Sequence, residues 1–88
     1  MTQEQGVMPT TRSEMQAVIR ECWEQALGHA DFGDDDAFLL IHGANSLTAV
    51  QVMVALSGRL GARLPVRLIM RHSTVRALAD AVLEQEST

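Results

Sequence analysis

Eighty-eight residues allow one small domain that buries about 60% of the surface its unfolded chain exposes, room for one layer of helices on another. With one Trp, two Phe and no Tyr, the core must come from Leu, Val, Ile, Met and Ala, which favours helices; a single cysteine excludes an internal disulfide framework, and no Cys/His spacing matches zinc. A net charge of −4 with few aromatics argues against nucleic acid, and the absence of a membrane-length apolar run or a signal peptide makes a cytoplasmic location the default.

Residues 1–10 are polar and aperiodic, with Gly6 and Pro9, and read as a disordered tail ahead of a domain over 11–86. Thr11-Arg12-Ser13-Glu14 has the form of a capping box. Met15, Val18, Ile19, Cys22, Trp23, Ala26 and Leu27 then recur at helical spacing, and Gly28 suits the left-handed C-cap. Cys22 lies in the apolar stripe and reads as a core residue. From His29 to Asn45 the period is lost. A connection of this length in so small a domain should be pinned by its own apolar residues, here Phe32, Phe38, Leu39, Leu40 and Ile41. Asp34-Asp35-Asp36 lacks the ligand alternation and closing Glu of a calcium loop and reads as a solvated acidic turn.

A second helix is predicted from about Ser46 to Leu60, with Gly58 and Gly61 weakening its end. Ala49, Val52, Met53, Leu56 and Leu60 have core spacing. Leu47, Val50 and Val54 form a second stripe, which is either core as well or a surface that meets partner proteins. Leu64-Pro65 opens a short element holding Val66, Leu68, Ile69 and Met70. Thr74 caps a last helix carrying Val75, Leu78, Ala79, Val82 and Leu83, and Glu84 to Thr88 forms a polar end. The predicted fold is all-α: a small four-helix bundle of three longer helices and one short one. Acidic residues load the first half, whereas Arg59, Arg63, Arg67, Arg71 and Arg76 fall in one span that reads mainly as solvated helix faces, with a site for an acidic partner as the alternative.

The candidate site is Gly43-Ala44-Asn45-Ser46-Leu47-Thr48-Ala49-Val50, a small-residue turn running into a helix. Asn45 and Ser46 both suit an N-cap, and a helix start with free N–H groups is a natural seat for a phosphate. Ser46 should sit exposed at the helix tip. A serine nucleophile with His29, His42 or His72 as base is the enzymatic alternative, but the Gly-x-Ser-x-Gly elbow is missing. An unmodified helical interaction module is another alternative.

This window resembles the phosphopantetheine attachment site of the carrier-protein family. Ile19 to Gly28, with its tryptophan and Leu-Gly ending, resembles the first helix of peptidyl carrier domains. Gly61-Ala62-Arg63-Leu64-Pro65-Val66 and Ser73-Thr74-Val75-Arg76-Ala77-Leu78-Ala79 resemble the family's Leu-Pro turn and fourth-helix start. Against the family pattern the loop is one residue longer, with His42 as the insertion, Ala44 replaces a glycine and Ser73 a proline. Thr48 and Gln51, where fatty-acid carriers are acidic, favour a peptidyl carrier, although Ser46 to Val50 also resembles modular polyketide carriers.

The resemblance implies a carrier rather than an enzyme, with covalent 4'-phosphopantetheine on Ser46 holding aminoacyl or acyl intermediates as thioesters. It implies as partners a phosphopantetheinyl transferase, an adenylation or acyl-loading enzyme, and condensation or tailoring enzymes. Leu47, Thr48, Val50, Gln51, Val54 and Met70 are the expected partner surface. A start at Met1 and an end soon after the last helix suggest a free-standing protein, expected to be a monomer.

Overall fold

The structure is a computed structural model that describes residues 11–87, so the tail expected over 1–10 lies outside the described residues. Helix α1 (Arg12–Leu27) starts where its sequence supplies partners for the first N–H groups: Thr11 Oγ1 accepts from Glu14 N at 3.1 Å and Glu14 reaches back to Thr11 N. It ends at Gly28, whose φ of 82° favours glycine and whose N–H donates to Glu24 O. Met15, Ile19, Cys22 and Trp23 face the core and are fully buried. Burial pushes the Cys22 thiol above its ordinary pKa, against a smaller opposing pull from Arg59.

Helix α2 (Ser46–Leu60) buries Ala49, Val52, Met53 and Leu56 and stops at Gly61, again left-handed at φ 64°. After Leu64 the chain does not enter a helix at once. Leu68 N donates to Pro65 O and Ile69 N to Val66 O, two tight i to i+3 turns, and the short helix α3 (Arg67–Arg71) begins two residues beyond the proline. Helix α4 (Val75–Ser87) is capped by Thr74, whose Oγ1 accepts from Ala77 N at 3.0 Å. It runs through most of the expected polar end. The fold is thus all-helical, with α1 packed against both α4 and α2, and α3 bridging α2 and α4. Among the described residues no helix is long and apolar enough to cross a membrane.

The long connection between α1 and α2 is held at both ends. Phe32, Phe38 and Ile41 are buried, but Leu39 and Leu40 are not, contrary to the expectation that they pin the loop. The cause is a single 3-10 turn over Phe38–Leu40: at three residues per turn, Phe38 and Ile41 share the inner side and the two leucines between them face outward. Phe38 N donates to Ser73 O at 2.7 Å and Arg76 N to Asp34 O at 3.1 Å, tying the loop to the start of α4.

On the other side Arg20 of α1 reaches Asp34 at 2.9 Å, donates to the carbonyls of Phe32 and Ala30, and lies over the Phe32 ring at 4.4 Å. A planar fork makes these contacts at once, which an ammonium cannot. Arg20→Lys is therefore expected to cost about 1–2 kcal/mol in urea denaturation, nearly as much as Arg20→Ala, after allowing for partial exposure. A lysine variant as stable as the native chain would show that only the charge matters there.

Candidate functional site

The turn before α2 is built from three local devices. Gly43 adopts φ 89°, where a Cβ would be strained and would sit 3.8 Å from Leu27 O, so the turn packs closely on the end of α1. Ala44 N donates to Ile41 O at 3.0 Å. His29 completes the clasp: its Nδ1 accepts from Asp31 N at 3.0 Å, which places the proton of the neutral ring on Nε2, and Nε2 then donates to His42 O at 2.7 Å.

Asn45, rather than Ser46, is the N-cap. Its Oδ1 accepts from Thr48 N at 3.0 Å, while Thr48 Oγ1 accepts from Asn45 N and donates to Asn45 O, both at 2.8 Å. The sequence left the cap shared between Asn45 and Ser46. The signal that separates them is the Asn-x-x-Thr spacing, in which threonine plays the part usually given to Glu or Gln. Ser46 consequently occupies the first helical position, exposed, with a hydroxyl that makes no hydrogen bond among the described residues. The N–H groups of Ser46 and Leu47 likewise have no acceptor among the described residues. They sit at the positive end of α2, and no acidic residue lies in its first turn.

This arrangement fits a covalently attached phosphodiester. The Ser46 hydroxyl is exposed, nearby N–H donors are free among the described residues, and no carboxylate in the first turn of α2 opposes the charge. The three histidines proposed as bases make no hydrogen bond to Ser46 among the described residues, and both ring nitrogens of His29 are engaged in the loop. A cavity of about 530 Å³ opens beside the loop between Asp31, Asp36, Leu40 and His42, but Ser46 does not line it. At its rim the Arg76 guanidinium, hydrogen bonded to Asp35, holds that carboxyl below the usual carboxylate range.

Of the expected partner surface, Leu47 and Val54 are each 65% exposed, and Val50, Gln51 and Met70 are also exposed. Thr48 is half-buried and its hydroxyl is committed to the cap. Sequence reasoning omitted Leu39, Leu40 and Val66, which are exposed as well. Leu39 and Leu40 lie in an aperiodic segment, and Val66 in a turn, so helical spacing carried no signal for them.

Comparison with known proteins shows the family of the chain. A family described as "Phosphopantetheine attachment site" matches residues 17–82. N-(5-amino-5-carboxypentanoyl)-L-cysteinyl-D-valine synthase of Penicillium rubens is 36% identical over 77 residues, 86% of this chain and 2% of that protein. Tyrocidine synthase 3 of Brevibacillus parabrevis is 35% identical over 77 residues, 88% of this chain and 1% of that protein. This chain therefore spans only a small part of these curated relatives. Among solved structures, BlmI, described as a type-II acyl-carrier-protein from Streptomyces verticillus involved in bleomycin biosynthesis, superposes with a TM-score of 0.78. That likeness covers 88% of this chain and 90% of BlmI at 25% identity. The match from α1 into α4, together with a helix tip suited to a phosphodiester, shows that the chain belongs to the phosphopantetheine-attachment family of carrier proteins, which bear the group covalently and are not themselves catalytic.

Proposed function

We propose that residues 11–86 form a peptidyl carrier domain, acting as a monomer, whose arm is joined to Ser46. The observation that supports this most is the Ser46 hydroxyl, exposed at the first position of α2 and free of any partner among the described residues. In the reaction that a phosphopantetheinyl transferase would catalyse, Ser46 Oγ gains a bond to the pantetheine-bearing phosphorus of coenzyme A. The pyrophosphate P–O bond breaks, adenosine 3',5'-bisphosphate leaves and the serine proton passes to the transferase. When bound, the group supplies a terminal thiol that holds cargo as a thioester. The free N–H groups of the first turn contribute about 0.3–1 kcal/mol toward a phosphodiester there, enough to orient it without immobilising it. The carrier's own contribution is a rigid tip on which a mobile tether raises the effective concentration of cargo at each partner.

Incubation of the full chain with coenzyme A and a broad-specificity transferase tests this reading: intact mass should rise by one arm, and an unchanged mass would defeat it. The cargo is proposed to be aminoacyl, loaded by an adenylation enzyme and passed to condensation or tailoring enzymes, since the curated relatives named above are peptide synthases. The description of BlmI as an acyl carrier supports a second reading with an acyl or polyketide cargo. Loading with a panel of amino acids against malonyl-coenzyme A separates the two.

Leu47, Val50 and Val54 lie at i, i+3 and i+7, on one side of α2 starting one residue from Ser46, and form the proposed docking stripe. Leu47→Asp or Val54→Asp should lower kcat/KM for loading by about tenfold with helicity unchanged. Loss of helicity in circular dichroism would assign those residues to the core instead.

A further inference from the structure

The chain between Ile41 and Ala44 reverses in a turn of definite type. Ala44 N donates to Ile41 O at 3.0 Å, Gly43 has φ 89° and His42 has no positive φ. A positive φ confined to the third of four residues marks a type II turn. Types I and II differ by a flip of the middle peptide, whose carbonyl here is His42 O. Glycine takes either sign of φ with similar ease, so Gly43 permits the type II form without enforcing it. The choice falls to whatever holds that carbonyl.

His29 holds it. Half-buried two residues beyond α1, its ring donates from Nε2 to His42 O at 2.7 Å. The N–H of Asp31 donates to Nδ1 at 3.0 Å and so keeps the proton of the neutral ring on Nε2, the nitrogen that faces the turn. The exit of α1 is thereby tied to the turn that leads through the N-cap Asn45 into Ser46.

We propose that His29 is a positioning residue for installation of the arm: by holding the His42 carbonyl it selects the type II turn, which sets how Ser46 is presented to the transferase. This rests on the carrier reading of Ser46 and adds what prepares the serine for modification. Without the donor the middle peptide samples both orientations, and only the type II fraction presents Ser46 as the transferase meets it. A smaller competent fraction raises KM and leaves kcat alone, because each complex that forms is the native one. The rise is about twofold if the two forms become equal and about fivefold if the commoner type I form prevails.

The test compares the full chain with His29→Gln, His29→Asn and His29→Ala, and with Arg12→Ala as a control that breaks an exposed ion pair at the far end of α1. A glutamine amide nitrogen stands where Nε2 does and can donate to His42 O, whereas an asparagine oxygen stands where Nδ1 does and keeps only the bond from Asp31 N. KM and kcat for arm installation are measured with a phosphopantetheinyl transferase and coenzyme A. The turn is read by NMR of the unmodified chain at about pH 8, where histidine is ordinarily neutral. In the native chain the Hα of His42 should lie close to the amide proton of Gly43, as in a type II turn, and the His29 ring should show the Nε2–H form. His29→Asn and His29→Ala should raise KM about two- to fivefold at unchanged kcat and bring the amide protons of His42 and Gly43 together, as in type I. His29→Gln should stay native in both. Circular dichroism checks folding, and the Gln and Asn variants decide the matter should His29→Ala unfold. The proposal is overturned when His29→Asn keeps native KM and turn signals, when His29→Gln fails as His29→Asn does, when Arg12→Ala raises KM equally, or when the ring carries its proton on Nδ1. A native chain that takes up no arm defeats the carrier reading instead, and the signals of the unmodified chain still show whether His29 holds the turn.

Discussion

Ser46→Ala is expected to abolish uptake of the arm completely while leaving the fold as stable as before, or more stable by up to about 0.5 kcal/mol. The hydroxyl contributes no hydrogen bond to the described structure, and alanine has the higher helix propensity at an exposed first-turn position. Asn45→Ala should give the opposite result. It removes the acceptor for Thr48 N, while Thr48 Oγ1 keeps both of its backbone partners, at a cost of about 1 kcal/mol, yet the nucleophilic oxygen remains and the arm is installed. Intact mass and urea denaturation of the two variants therefore separate the chemistry of the helix tip from its capping. An arm found on Ser46→Ala would move the attachment to another hydroxyl. A loss of about 1 kcal/mol in that variant would mean that Ser46 shares the cap after all.

The helices were legible because their ends are written in short-range chemistry. Thr11 with Glu14, Gly28, Gly61 and Thr74 each satisfy a terminal backbone group or supply the left-handed cap, and each boundary falls where those residues stand. The α1–α2 loop was only half legible, since its order comes from contacts distant in sequence: Arg20 to Asp34, Phe38 N to Ser73 O, Arg76 N to Asp34 O. No periodicity encodes them. Leu39 and Leu40 looked like pins because apolar residues in a small domain usually go inside, but one 3-10 turn leaves its middle residues outward. The same limit applied to α2. Spacing revealed a second apolar stripe on that helix, and only the assembled bundle shows that Leu47 and Val54 stay exposed among the described residues.

Trp23→Ala should be the most destabilising substitution of a single side chain, costing about 3–5 kcal/mol. The indole is fully buried between Phe32 at 5.6 Å and Phe38 at 4.8 Å, the latter edge-on, so its removal opens a cavity where α1 meets the loop. A domain of this size has about 4–13 kcal/mol in total, so the variant loses a large share of its stability. Trp23→Phe should lose much less than its volume change alone suggests. Trp23 Nε1 is buried without an acceptor among the described residues, and deleting that donor returns about 1–3 kcal/mol of the desolvation cost. Far-UV circular dichroism in urea measures both variants, since the only tryptophan is the residue replaced. Because Phe32 and Phe38 anchor the loop that ends in the Gly43 turn, Trp23→Ala should also slow installation of the arm at temperatures where the helices still persist. A loss below about 1 kcal/mol, with normal installation, would show that the loop is held by Arg20, Ser73 and Arg76 alone and that the aromatic cluster is incidental to the site.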